Sequence, residues 1–492
     1  MIALLLILIP LLSGLVSFFL KKENTARAWA LFSSLFTLAV SLLGLTLMNN
    51  EGNLHFKTEW LPDLGSSFSI GLDGMGQLIC LLTAISFPII FISTWHHVYK
   101  KAHNFFALML LSQAGLMGVF LAMDALVFYF FWELALVPVY FLCSIWGGEK
   151  RIAATFKFFV YTFIGSLLML VGLIYLQSQT ADRSFDITSF YNLSLSGNSQ
   201  NWVFLLLFAA FAIKMPVFPF HSWQPDTYEQ APTATTMVLS AIMVKMGVFA
   251  VIRWLLPVLP LGSYAYGETT VSILAVIGMV YASLLAMRQN DMKRLIAYSS
   301  IAHIGLMVIA IFAENKTAMQ GVMIQMFNHG IIIIGLWIIV EIIEQKFGTR
   351  KLSDLGGLAQ KAPVMALLFV VIALANIALP LTNAFVGEFL MFTGIFTSAV
   401  FKYELFIIPA AGLCIILGAV YMLNMLQKVL YGNTNTLTAS GTDIRLNEKL
   451  VLGVIVILII AGGVYPQPFL DLTKETTELI LKESDVLPLL NK

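Results

Sequence analysis

The sequence predicts an all-α, polytopic membrane protein of about fourteen transmembrane helices, arranged as two inverted five-helix repeats with broken helices. Composition leads to this first: of 492 residues, 59% are hydrophobic and 11% charged, with a mean hydropathy of +0.88. Apolar runs near the 20 residues or so that a bilayer requires recur along the whole chain. Several of these runs contain proline, which breaks a helix and is tolerated in lipid only where freed carbonyls face protein or a water-filled cavity.

The first run, at about 2–20, stops at Lys21 and Lys22. No basic stretch precedes it and no small-x-small cleavage pattern follows, so it reads as a retained helix and not as a signal peptide. Runs at about 28–48 and 74–95 complete an N-terminal group, residues 1–104. Five runs then follow in residues 105–256, at about 105–122, 125–146, 155–176, 202–219 and 233–256. Residues 257–430 carry five more, at about 271–287, 295–313, 317–342, 363–396 and 405–430, and the last run lies at about 449–465.

These two groups of five read as halves of a repeat. The first ends a helix at Asp124, carries Glu133 in the next and reaches Lys214 beside Pro216 and Pro219. The second ends a helix at Asp291, carries His303 in the next and reaches Glu388 after Pro380. An odd number of spans turns the second half over relative to the first, the construction of secondary transporters. Residues 431–492 add the last helix and an external amphipathic helix with Leu472, Leu479 and Ile480 on one side. The stretch from Asp182 alternates polar and apolar residues as a short hairpin would. Each of these two segments suits either a clasp on a neighbouring subunit or plain surface.

Ionisable residues inside the apolar runs carry the functional signal. Glu133 lies in FYFFWELALVPVYF, Lys214 in LLLFAAFAIKMPVFPF, Lys245 in MVLSAIMVKMGVFAVI and Glu388 in NAFVGEFLMFTGIF. A charge at the bilayer centre costs roughly 2.5 to 3.5 kcal/mol, so four unpaired ones would cost on the order of 10 kcal/mol or more. Ion transfer is the function that would maintain them. Carbonyls freed at Pro216 would solvate the Lys214 ammonium; the competing reading is a packing kink with a lysine that snorkels. Glu133 competes with a neutral structural glutamic acid, and Glu388 with an exposed helix cap. His303 and His329 also lie within spans, where they suit a proton chain, satisfied core positions or, less readily, a haem between them. Ser299 shares a helix face with His303.

Other classes find little support. The net charge is +1 and no basic stripe with interleaved aromatics suggests nucleic acid. Neither a phosphate-binding loop nor a dinucleotide fingerprint occurs, since Gly71, Gly74 and Gly76 have the wrong spacing. Cys80, Cys143 and Cys414 are isolated, which argues against disulfides, iron–sulfur ligation and covalent haem. No cofactor or metal is expected on this chain, and any energy source lies outside it. Lys100, Lys150, Lys157, Arg294 and Arg350 are among many basic residues on one set of loops, whereas the other set holds Lys57, Arg183, Arg253, Lys316 and Lys402. By the positive-inside rule the first set is cytoplasmic and both termini lie outside.

With those residues placed, the sequence resembles the M-type antiporter-like subunits of proton-pumping NADH:quinone oxidoreductase, respiratory complex I. The likeness runs from about Asp73 to Asp471 through FWELALVPVYFL (131–142), AIKMPVFPFHSWQPDTYEQAPT (212–233), DMKRLIAYSSIAHIG (291–305), FNHG (327–330), DLGGLA (354–359), NAFVGEF (383–389) and GVYPQPFLD (463–471). The resemblance implies a Glu133–Lys214 charge pair, a central Lys245, and His303, His329 and Glu388 along a hydrophilic axis. Glutamate at 388, where L- and N-type chains and sodium/proton antiporter chains usually carry lysine, points to the M type. Two departures stand out: Trp223-Gln-Pro-Asp-Thr-Tyr228 replaces W-L-P-D-A-H, and Leu379-Pro-Leu-Thr382 replaces L-P-G-T, which bears on the backbone of the helix break.

The function so implied is proton translocation by a subunit of a redox-driven enzyme, with no redox centre of its own, in a bacterial inner membrane. L- and N-type chains and the lipid bilayer would be its partners. The alternatives are a subunit of a multisubunit cation/proton antiporter and a scaffold that only holds a redox module.

Overall fold

A computed structural model describes residues 1–47, 54–399 and 404–485. Lys402, assigned above to the sparsely charged loops, lies outside the described residues. Helices dominate. In chain order they are α1 (Ile2–Ser17) and α2 (Glu23–Thr46), then a hairpin of β1 (His55–Leu61) and β2 (Ser66–Gly71), then α3 (Gly74–Ser93), α4 (Ala102–Leu121), α5 (Ala125–Trp146) and α6 (Arg151–Gln179). After the five-residue α7 (Ile187–Tyr191) come α8 (Gly197–Lys214), α9 (Trp223–Gln230) and the long α10 (Thr233–Leu255). The second half holds α11 (Pro260–Tyr266), α12 (Thr269–Arg288), α13 (Met292–Ile311), α14 (Lys316–Phe347), α15 (Leu358–Lys361), α16 (Pro363–Asn376), α17 (Asn383–Phe396) and α18 (Glu404–Leu430). It ends in α19 (Leu446–Val464) and α20 (Gln467–Glu483).

Among the described residues, eleven of these helices are long and apolar enough to cross a membrane. The other three runs read from the sequence fall on the shorter α1, on α8 and on the pair α16/α17. The run at 202–219 is helical only as far as Lys214. The run at 363–396 is interrupted between Asn376 and Asn383, where Ala378 (φ 53°) and Leu381 (φ 74°) take left-handed backbone beside Pro380. Burial sorts the spans: α10 is wholly buried, and α3, α4, α13 and α14 are nearly so, whereas α18 and α19 keep most of their surface outward. The inner helices face protein on all sides, and it is these that carry the buried polar residues Lys245, Ser300 and His329.

Acidic caps set several helix starts. Asp73, Asp124 and Asp291 accept backbone N–H groups at the beginnings of α3, α5 and α13, which satisfies donors that have no partner within the helix. Asp124 also receives Ser66 Oγ (2.9 Å) and Ser67 N (3.0 Å), and so binds the hairpin to the foot of α5.

Two local expectations are corrected. The stretch after Asp182 is no hairpin: Asp186 caps α7 through Thr188 N at 3.0 Å, and local capping outcompetes a ladder that has no partner strand. The antiparallel hairpin lies at residues 55–71, with Gly65 (φ 74°) in its turn. In α20 the buried stripe is Thr473, Thr476, Thr477 and Ile480, at i, i+3, i+4 and i+7, while Leu479 faces out. This helix packs against its own chain. A Cβ at Gly74 would fall 1.8 Å from the Leu472 carbonyl oxygen, so only glycine permits the approach of α20 to α3.

The two loop sets stay apart. Lys57 pairs with Asp186 (2.7 Å), Arg253 with Asp73 (2.5 Å) and Lys316 with Glu478 (2.5 Å). In the basic set, Lys157 and Arg294 meet Asp226 (2.9 and 3.1 Å), Arg294 meets Glu229 (2.8 Å), and Arg350 meets Asp291 (2.5 Å) and Glu344 (2.8 Å).

Candidate functional site: a buried file of ionisable side chains

The centre of the site is Lys245, fully buried in α10. Residues Leu239–Met243 of that helix wind as a π-type turn, a local widening that frees carbonyls and often marks function. The Lys245 ammonium donates to the Ser240 carbonyl at 2.9 Å and lies 2.7 Å from His329 Nδ1 on α14. His329 Nε2 faces Ser300 Oγ at 3.3 Å, and its ring centre is 5.5 Å from that of His303 on α13. His303 Nδ1 in turn meets Glu388 Oε1 on α17 at 3.1 Å. Four of the six residues singled out in the sequence thus form a line across α10, α14, α13 and α17. The two imidazoles follow one another in a file, each held at a ring nitrogen by its other neighbour.

Glu388 is buried and is no cap, because α17 begins five residues earlier at Asn383. The break between α16 and α17 serves it indirectly: Asn328 Nδ2 donates to the Asn383 carbonyl at 2.7 Å and so ties the start of α17 to α14. A cavity of about 30 Å³ lies beside the pair, lined by His303, Asn376, Glu388 and Tyr421, enough for one water. Tyr421 donates to Ser299, and Ser299 to Asn376 (3.0 and 3.2 Å). Ser299 therefore supports the wall of the cavity, and its neighbour Ser300 is the hydroxyl that reaches the histidine file.

Glu133 and Lys214 stand apart from this line; they form no direct ion pair, but Glu133 is near enough to attract the Lys214 ammonium. Lys214 is the last residue of α8, where the helix dipole favours a cation. Its ammonium is buried 5.5 Å from the Trp132 ring centre and 5.9 Å from that of Phe158. Neither Lys214 Nζ nor Glu133 Oε1 has a hydrogen-bonding partner. The expected solvation by proline-freed carbonyls is absent for Lys214, since Val217 N takes the Ala212 carbonyl and Met215 N the Phe211 carbonyl. Glu133 is half-buried and looks into a lateral groove beside Trp60, Tyr129 and Phe130.

Sequence reasoning missed the Ser240 carbonyl, Ser300, Asn376 and Tyr421. Only Ser300 carried a signal, its place in SSIAHIG; a carbonyl freed by a π-type turn leaves no mark in residue type. Outside the spans, Asp226 and Asp186 are held below the usual carboxylate range: burial pushes each up, but hydrogen bonds from Lys157 and Arg294, and from Lys57 and Thr188, outweigh it.

Residues 122–415 match the family described as NADH:quinone oxidoreductase/Mrp antiporter, transmembrane. The chain belongs to this family. Similar members include F(420)H(2) dehydrogenase subunit M of Methanosarcina mazei, 35% identical over 98% of each chain, and NADH-quinone oxidoreductase subunit M of Rhodobacter capsulatus, 37% identical over 92% of this chain and 89% of that one. A chain of respiratory complex I from Thermus thermophilus with bound NADH superposes with a TM-score of 0.87 at 27% identity, over 98% of this chain and all of that one. As a member of this family with many apolar helices, the chain is a multi-pass membrane protein.

Proposed function

We propose that this chain is the M-type proton-translocating subunit of a redox-driven quinone oxidoreductase, with electron transfer confined to other subunits. The single observation that carries the reading is the file Lys245–His329–His303–Glu388. An imidazole that accepts a proton at one nitrogen releases one from the other, so two histidines in sequence pass a proton from the lysine towards the carboxylate with little motion of the backbone. Moving one charge across the membrane costs about 2.3 kcal/mol per 100 mV. Proximity alone does not supply that energy, so the drive is assigned to neighbouring subunits acting on Glu133 and Lys214.

Fourteen crossings, with repeats at 105–256 and 257–430 and both termini outside a bacterial inner membrane, accord with the proposal. The segregated loop charges and the broken fourth span of each half support that arrangement. L- and N-type neighbours complete the pump. Glutamate at 388, bonded to a histidine, favours protons over the cation/proton antiporter alternative, because the file offers no cluster of carboxylates and carbonyls for a metal cation.

Lys245→Met tests the reading in the reconstituted complex. Proton translocation is expected to fall at least tenfold while the complex assembles. Translocation at the wild-type rate would refute it.

A further inference from the structure

A second buried charge lies on the helix of Lys245 and takes no part in the file. Arg253 follows Lys245 by eight positions on α10, which sets it about 12 Å further along the axis, at the end that faces the sparsely basic loops. Arginine keeps its charge at any ordinary pH, so this is a permanent cation inside the protein. Burying such an ion is costly even when it is paired. The start of α3 does not require it, because Asp73 already accepts Gly76 N at 2.8 Å.

The guanidinium is held from several sides. Nη2 donates to Asp73 Oδ2 (2.5 Å), Nη1 approaches Met123 Sδ (3.4 Å), and the central carbon lies 4.9 Å from the Phe249 ring centre. Thr476 Oγ1 of α20 donates to the same carboxylate (3.4 Å), and the Tyr191 hydroxyl of α7 donates to the Arg253 carbonyl (3.0 Å). The pair is oriented: the Arg253 side chain is 3% exposed and that of Asp73 26%, so the positive end lies inward while water screens the negative end. Arg253 Nε and Trp254 Nε1 have no partner in the protein, and Val251–Leu255 wind as a second π-type turn. Two free donors beside carbonyls loosened by such a turn make a place that attracts water.

Residues 246–252, between the two charges, are apolar and buried. That layer is about 12 Å thick against the roughly 30 Å of a bilayer core, too thin to insulate by itself once a file of water bridges it. We propose that Arg253, oriented by Asp73, is an electrostatic seal on the external side of Lys245: its fixed charge repels protons, so that a proton on the central lysine leaves sideways to His329 and none returns from outside by the direct route. The inference rests on the proton-carrying role proposed above. A fixed arginine keeps protons out of a water-filled pore by the same means. At about 12 Å and an effective dielectric constant near 20, one charge changes the occupancy of another by about tenfold; the Asp73 carboxylate offsets part of this and leaves a barrier of roughly threefold or more. Arg253 binds no transferred proton and acts as a positioning residue.

The competing reading is a latch that only packs α3, α7, α10 and α20 together. The experiment places the whole complex in proteoliposomes without substrate, imposes a pH gradient and follows its decay with an entrapped dye. Arg253→Met combined with Asp73→Asn removes both charges, leaves no uncompensated ion and keeps the cap of α3, since asparagine caps as well as aspartate. The seal requires the gradient to decay at least threefold faster than with wild type; an assembled double variant that holds the gradient as wild type does overturns it. Arg253→Gln alone gives the same comparison where the double variant fails to assemble. Tyr191→Phe combined with Thr476→Val cuts the ties to α7 and α20 and leaves the charge in place, so those vesicles should stay tight. A leak there as fast as in the charge-free variant assigns the barrier to packing and overturns the seal. A wild-type complex that moves no protons during turnover defeats the underlying reading, whereas a pumping complex whose charge-free variant stays tight defeats only the seal.

Discussion

Replacing Glu388 by glutamine removes the ionisable carboxylate that His303 meets at 3.1 Å and keeps nearly the same shape, with a neutral amide oxygen in its place. The two side chains are only 7% and 16% exposed, so solvent screens their attraction weakly. Removing one member of such a buried pair typically costs about 3–5 kcal/mol, because the remaining charge is left uncompensated. At about 1.4 kcal/mol per tenfold, that loss is a factor of roughly a hundred to a few thousand in any step that uses the pair. If every translocated proton visits His303, turnover falls by at least the lower figure. Glu388→Asp keeps the charge but withdraws it by roughly one bond length, about 1.5 Å, and should recover part of the loss. The assay is dye-reported acidification of proteoliposomes holding the complete complex, with assembly followed on native gels. Glu388→Gln pumping within a factor of two of wild type, in a fully assembled complex, would refute the assignment of Glu388 to the path.

Glu133→Gln and Lys214→Met should each reduce translocation and electron transfer together, and the double variant should be no worse than either single one. Strict additivity in that cycle would show that the two residues do not act as a pair. Acid should weaken both loop ends late, at Asp226 on the basic side and at Asp186 on the other. Asp226 and Asp186 are held below the usual carboxylate range, so their contribution is fully present above the unfolded value of about pH 4 and is lost as pH falls through the lower folded value. Thermal melts should therefore be flat in this respect from neutral pH to about pH 5 and should decline below pH 4 less steeply in Asp226→Asn; identical acid profiles would count against a native carboxylate there.

Which of these features the sequence revealed follows from physical cost. Lys245 and Glu388 were legible because a charge in an apolar run is expensive enough to demand a reason. Asp124 and Asp291 were legible as boundaries, though each proved to begin the next helix. The hairpin at residues 55–71 was not, because HFKTEWL is largely exposed and lacks the alternation of a half-buried strand. The face of α20 was misjudged because its buried stripe is mostly threonine, whose methyl groups pack while their hydroxyls bond back to the helix, as Thr473 and Thr477 do. That Glu133 and Lys214 attract one another without a direct hydrogen bond was beyond residue type altogether, since it depends on Glu133 facing the lateral groove. Contacts across distant helices, such as Tyr421 to Ser299, likewise leave no local pattern.

The continuity of the file stands or falls at its middle. His329→Leu fills a similar volume but removes both ring nitrogens, and with them the links to Lys245 and Ser300. Proton translocation by the assembled complex in sealed vesicles is expected to drop at least tenfold, with Lys245 and Glu388 both intact. An assembled His329→Leu complex that translocates protons at the wild-type rate would show that they travel by another route.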